Sequence, residues 1–208
     1  MPAPATDPTR QKLLDAAGEV FVEQGFQAAT VREICTRAGA NVAAVNYYFG
    51  DKMGLYVAVL ADATCASEGD ELVGTGLSPK EKLRLIIRGM FRRMTAGERP
   101  SWAFRLMAHE MTQPTAALTQ VIHQVIQPRY ERLRITLGLI LRLPPDHETT
   151  RMCAHSIIGQ VIHYVNARPV IAELWPELKM TPEQIEKLAD HVAEFSICSV
   201  LEIAKRTR

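Results

Sequence analysis

The chemistry most readily read from this chain lies between Thr30 and Lys52, in the run TVREICTRAGANVAAVNYYFGDK. Thr30 and Glu33 have the Thr-x-x-Glu spacing of a capping box, which satisfies free N–H groups at a helix start. Val31, Ile34, Cys35 and Ala38 then recur at helical spacing, and Gly39 supplies the backbone freedom that a helix C-terminus needs. Asn41 is a good N-cap for a second helix, residues 42–49. That helix has no charged residue: it offers Val42, Ala43 and Ala44 first, then Asn46, Tyr47 and Tyr48. Asp51 and Lys52 open a third. Two helices joined across a glycine-containing turn of about 3–4 residues are the signature of a helix-turn-helix, whose second helix enters a DNA major groove. The same pattern also fits an ordinary αα-hairpin with no nucleic-acid role.

A second constellation is sparser. Trp102, Arg105 and His109 share one face of a mostly apolar helix, and an aromatic, a cation and an imidazole so placed could line a small-molecule pocket. Gln160, His163, Tyr164, Asn166 and Arg168 offer a second polar wall. Core packing with a polar rim accounts for the same residues. His155 and His163 lie on one helix about 12 Å apart along its axis, too far for one metal to bridge. Other helices would have to contribute, for example through His109 and Glu110, and no metal site is expected. Arg84, Arg88 and Arg92 form a stripe that reads as a solvated helix face or as an anion or partner site. There is no G-x-S-x-G, no Gly-rich phosphate loop, no H-E-x-x-H and no nucleophile–base arrangement. No catalytic residue and no cofactor is therefore expected, and the chain does not read as an enzyme.

These groups must be positioned by helices, because no strand-length alternating run occurs anywhere. At 208 residues the chain allows one large domain or two small ones. Apolar residues at 47% and charged residues at 23% place it among ordinary globular proteins. A formal net charge of +1 neither announces nor excludes a nucleic-acid partner. Residues 1–55 carry five Lys and Arg against six Asp and Glu, so a DNA face there needs a few well-placed donors and positive helix ends. Cys35, Cys65, Cys153 and Cys198 are scattered and read as small core residues of a reducing cytosol. No apolar run approaches 18 residues, so no membrane span is expected. The Pro-rich start reads as a loose tail over residues 1–8 and not as a signal peptide.

Helical spacing predicts a first helix at about residues 9–24, capped by Thr9 or Asp7 and ended by Gly25. A further helix starts near Asp51. The glycine-rich stretch at about 67–77 marks the domain boundary, with residues 68–208 as the second domain. There, Ser78-Pro79-Lys80-Glu81 states a helix start. A helix follows near 101–111, then a long pattern from Pro114 that Pro128 must kink or break. Asp146 can cap a helix that Arg168-Pro169 stops, and Thr181 to Gln184 caps the last. The helices at about 147–167 and 182–205 are apolar over more than one stripe, and a symmetric homodimer built as a four-helix interface would bury them.

The run from Gln11 to Leu55 resembles the DNA-binding domain of TetR-type transcriptional repressors. The matching pieces are LLDAAGEVFVEQGF, TVREICTRAGA and NVAAVNYYFGDKMGLY. The resemblance implies an all-α protein: a three-helix helix-turn-helix domain at 9–55, a linking fourth helix to about 67, and a helical ligand-binding and dimerisation domain. It implies that Val42, Ala43 and Ala44, behind the Asn41 cap, face bases. Thr30, Arg32, Asn46, Tyr47, Tyr48 and Lys52 would hold the DNA backbone. Asn46 stands where a Tyr is usual, and Met53 replaces a common Glu. Roughly residues 78–205 are similar to the CerR-type C-terminal domain of some such regulators, on HEMTQPTAAL and HSIIGQVIHYVNARPVI. The implied protein is a cytoplasmic homodimeric repressor of a palindromic double-stranded operator, released by a small-molecule effector. The alternative is a helical module for a small molecule or protein partner with a weak or vestigial DNA role.

Overall fold

The computed structural model describes residues 7–64, 76–95 and 101–206. Most of the expected tail, the expected boundary near residue 67 and Cys65 lie outside the described residues. Among the described residues are eleven α-helices, one π-helical turn and no strand. Helices α1 (Pro8–Ala28), α2 (Val31–Ala38), α3 (Val42–Phe49) and α4 (Lys52–Thr64) form a compact unit with α6 (Ser101–Thr112), α7 (Ala116–Val121) and the π-helical turn Ile122–Ile126. Helices α5 (Pro79–Thr95), α8 (Gln127–Leu141), α9 (Glu148–Asn166), α10 (Arg168–Leu174) and α11 (Pro182–Arg206) form another.

The first unit takes in helices that the sequence reading places beyond the boundary. The reason is apolar burial. Trp102 and Leu106 of α6 and Ala117 and Val121 of α7 join Leu13, Leu14, Val20 and Phe21 of α1 and Leu55, Tyr56 and Leu60 of α4 in one core. Gly18 lets this happen, because a Cβ there would stand 2.2 Å from Cδ2 of Trp102. The expected stop at Gly25 is a kink instead: its φ of 76° breaks the regular geometry, but α1 runs on to Ala28. Phe26 then turns inward, 4.9 Å from the Tyr56 ring, which also meets Phe21 edge-on at 4.6 Å.

The second unit has its own core of Leu83, Ile87 and Phe91, Leu133, Leu137 and Leu141, Ala154, Ile157 and Val161, and Leu188, Val192 and Ile197. Ser78 and Glu81 complete a reciprocal capping box at 3.4 and 2.7 Å. Thr181 and Gln184 do the same, each bond at 3.3 Å. The arginine stripe of α5 is a partly solvated face whose charges are paired with α11. Arg84, Arg88 and Arg92 meet Glu194, Asp190 and Glu186 of α11 at 2.5, 2.6 and 2.9 Å. Two antiparallel helices with charges every four residues pair them rung by rung.

Two local expectations are corrected, the Asp146 cap and the burial of Cys198. His147 rather than Asp146 caps α9, its Nδ1 accepting from the Thr149 N–H, while Asp146 pairs with Arg134 and Arg151. As expected, α9 ends before Arg168-Pro169, at Asn166, and Pro169 then sits in the first turn of α10, where its missing N–H costs nothing. Cys35 and Cys153 are buried, which pushes their thiols up, but Cys198 is exposed. Before Pro128 the helix widens into the π turn, which leaves Ile122 40% exposed. Among the described residues no helix is long and apolar enough to cross a membrane.

Candidate nucleic-acid interface

Thr30 caps α2, its hydroxyl accepting from the Glu33 N–H at 3.2 Å. The box is only half made: Glu33 turns its carboxylate to Gln24 and Arg37. Gly39, at φ 62°, then closes α2 in the left-handed conformation, and the Ala40 N–H bonds back to Cys35 O at 2.9 Å. Asn41 caps α3 through the Ala43 N–H at 3.0 Å. Buried Val45 ties α3 to the core, so the opposite side of the helix faces out. That side carries Val42, Ala43, Asn46 and Tyr47, with Tyr47 68% exposed. Ala44 is half-buried and packs toward the core, so it contributes less to the outer face than its neighbours. Thr30 and Arg32 are exposed.

Tyr48 and Lys52 are already engaged. The Tyr48 hydroxyl donates to Asp7, whose other oxygen accepts from the Thr9 N–H at 2.8 Å and caps α1. These donors hold the Asp7 carboxyl below the usual range, and the same carboxylate pushes the Tyr48 phenol up. Lys52 donates to Ala29 O at 2.8 Å and Gln27 O at 3.2 Å, and its ammonium lies 4.6 Å from the Phe26 ring centre. It thereby closes the carbonyl end of α1 just before the Thr30 cap. One of its three N–H groups remains for another acceptor. Arg10, 5.5 Å from the Phe49 ring, also braces α1 on α3. No spacing in the sequence links residues 7 and 10 to residues 48 and 49, so these contacts were not legible. Arg37 is held by Glu23 and Glu33 at 2.7 and 2.8 Å, which raises its already high pKa.

The expected effector residues fall into the two separate units. Trp102 is 3% exposed and spent on core packing over Gly18, whereas Arg105 and His109 are exposed. Those three therefore do not form one pocket wall. Glu110 is fully buried, accepting from the Tyr56 hydroxyl at 2.6 Å and the Thr115 N–H at 2.9 Å. In the second unit, Gln160, His163 and Tyr164 do come together. With Gly159, His191, Val192 and Phe195 they line an open depression of about 410 Å³ between α9 and α11. Among the described residues no three His, Cys, Asp or Glu side chains are grouped to hold a metal.

Comparison with known proteins agrees with this geometry. The model for bacterial regulatory proteins of the TetR family matches residues 13–59. That for the C-terminal domain of the HTH-type transcriptional dual regulator CecR matches residues 79–199. CecR of Shigella flexneri is 31% identical over 170 residues, covering 74% of this chain and 74% of that protein. Among solved structures, FadR from Bacillus subtilis in complex with stearoyl-CoA aligns with a TM-score of 0.61 at 19% identity, over 90% of this chain and 97% of that one. HlyIIR, a hemolysin II transcriptional regulator, aligns at 0.56 and 20% identity, over 88% and 96%. An N-terminal helix-turn-helix joined to a C-terminal helical domain is the common plan. The chain belongs to the TetR family of bacterial transcriptional regulators, with a CecR-type C-terminal domain.

Proposed function

We propose that the protein is a homodimeric repressor of a palindromic operator. Two copies join through α9 and α11, and each lays α3 in one of two major grooves about 34–36 Å apart. The observation that carries this is the outer face of α3. Val42 and Ala43 are suited to apolar contact with bases, including thymine methyls, and Asn46 to hydrogen bonding, with no charge to fix the helix non-specifically. Phosphate anchoring falls to Tyr47, Tyr48, the spare Lys52 donor, Thr30, Arg32 and the capped helix starts. A small molecule bound in the second unit shifts the population away from the spacing that fits the operator.

Selection of DNA from a random pool, followed by gel shift with the recovered sequence, tests the reading. A two-fold symmetric site bound by two copies is the expected result. Screening small metabolites and antibiotics for loss of the shifted band tests the release step. The near balance of charge in residues 1–55 favours a second reading, a binding module with a weak DNA role. Recovery of no sequence from the pool would establish it over the first.

A further inference from the structure

Tyr48 stands among the phosphate anchors proposed above, yet its hydroxyl is already bonded within the chain. We infer that Asp7 is a further residue of the DNA interface and acts against binding: its carboxylate competes with a backbone phosphate for the one proton that Tyr48 can donate. The inference rests on the reading of α3 as the DNA-contacting helix and specifies what limits one of its contacts.

Valence is the first reason. A phenol has a single O–H to give. Tyr48 gives it to Oδ2 of Asp7 at 2.5 Å. A phosphate oxygen that approaches Tyr48 therefore meets lone pairs unless that bond opens. Lys52 differs, because the two carbonyls it holds leave one of its three N–H groups over. The charge states agree with a proton on the phenol: the Asp7 carboxyl is held below its usual range and the Tyr48 phenol is pushed up.

Placement is the second reason. The start of α1 meets the end of α3 twice, through Asp7 on Tyr48 and through Arg10, whose guanidinium lies 5.5 Å from the Phe49 ring centre. Tyr47 is 68% exposed and its ring is 4.9 Å from that of Tyr48. A DNA backbone that reaches both tyrosines passes a fixed carboxylate, and like charges so placed repel.

The cap does not account for the carboxylate. Oδ1 of Asp7 caps α1 by accepting from the Thr9 N–H at 2.8 Å. Serine or asparagine caps a helix about as well. What aspartate adds at this position is the negative charge and the second oxygen, and that oxygen holds Tyr48.

The test is a double-mutant cycle on DNA affinity, read by fluorescence anisotropy at one salt concentration with a duplex that the wild type selects from a random pool. Asp7→Ser keeps a cap for α1 and removes the oxygen that holds Tyr48. Asp7→Asn also keeps the cap and sets an amide NH2 where that oxygen was. Tyr48→Phe keeps the ring and loses the hydroxyl. In the wild-type background Tyr48→Phe should change affinity by less than about 2-fold, because the proton is already spent. In either Asp7 variant it should weaken binding by about 5-fold, the net worth of one hydrogen bond. Loss of the carboxylate charge raises affinity equally with Tyr or Phe at position 48, so it cancels in the cycle. Equal effects of Tyr48→Phe in all backgrounds overturn the inference and leave the DNA reading standing. A larger effect in the wild type also overturns it, since Asp7 would then brace Tyr48 for the phosphate. Loss of helix content by circular dichroism in both Asp7 variants does the same, because the fold would then need the carboxylate. A wild type that selects no DNA overturns the inference together with the DNA reading.

Discussion

The Tyr56 hydroxyl donates to Oε1 of Glu110 over 2.6 Å, tying α4 to α6 through a carboxylate with no exposed surface. Burial, and then this bond, push the Tyr56 phenol well above its usual value. Tyr56→Phe should lower unfolding stability by about 1–2 kcal/mol, because a buried acceptor loses its donor. The contribution has a pH signature. The unfolded phenol ionises near about pH 10 while the folded one keeps its proton, so the stabilisation is present below that pH and is lost as pH rises above it. Urea unfolding at a series of pH values should show the gap between wild type and Tyr56→Phe constant up to about pH 9 and narrowing beyond about pH 10. A gap that widens there would contradict the bond.

Gly18 and Trp102 give a second test. An added methyl at Gly18 overlaps the indole, so α1 and α6 must separate. Gly18→Ala should cost about 1–3 kcal/mol despite alanine's better helix propensity. Trp102→Leu opens the space, so the double variant should be less destabilised than the two single changes added together. Additive costs, read by denaturation under circular dichroism, would show that the two positions do not meet.

What the sequence disclosed follows from range. Caps at Thr30, Asn41, Ser78 and Thr181, the turn at Gly39 and the apolar stripes depend on residues within a turn or two of each other, and spacing alone reveals them. The packing of α6 and α7 with the helix-turn-helix depends on Gly18 meeting Trp102 across 84 positions, which no local pattern encodes. The candidate site shows the same division. The exposed α3 face was legible from its composition, but the tethers Tyr48–Asp7 and Lys52–Ala29 were not, because their partners lie on other elements. Trp102 misled for a related reason. Its type suits a pocket as well as a core, and only the glycine opposite decides between them.

The ladder between α5 and α11 should behave as partly exposed ion pairs do. Replacing Arg84, Arg88 and Arg92 by Gln should cost about 0.2–1 kcal/mol each in low salt. Screening at about 1 M salt, where the Debye length is near 3 Å, should remove most of the difference. Denaturant titrations of the triple variant and wild type at the two salt concentrations check this. A loss unchanged by salt would mean that the guanidinium stems, and not their charges, hold the helices together.

Tyr47 and Lys52 separate docking on DNA from support of the fold. Tyr47 is 68% exposed and its ring touches Tyr48, so Tyr47→Ala should change stability by less than about 0.5 kcal/mol while weakening operator binding. Lys52 holds two carbonyls of the α1 end and the face of Phe26. Lys52→Ala should therefore lower stability by about 1–2 kcal/mol as well as affinity. Affinity alone does not say whether the ammonium also reaches a phosphate, because a loosened α1 end would disturb the Thr30 cap and the placement of α2 and α3. The salt dependence does. Loss of one phosphate contact lowers the slope of log affinity against log salt by about 0.9, whereas a purely structural loss leaves the slope unchanged. Fluorescence anisotropy with a selected operator over a salt series should show the shallower slope for Lys52→Ala and the wild-type slope for Tyr47→Ala, whose hydroxyl carries no charge to displace a counterion. A wild-type slope in Lys52→Ala would assign the lysine to the end of α1 alone.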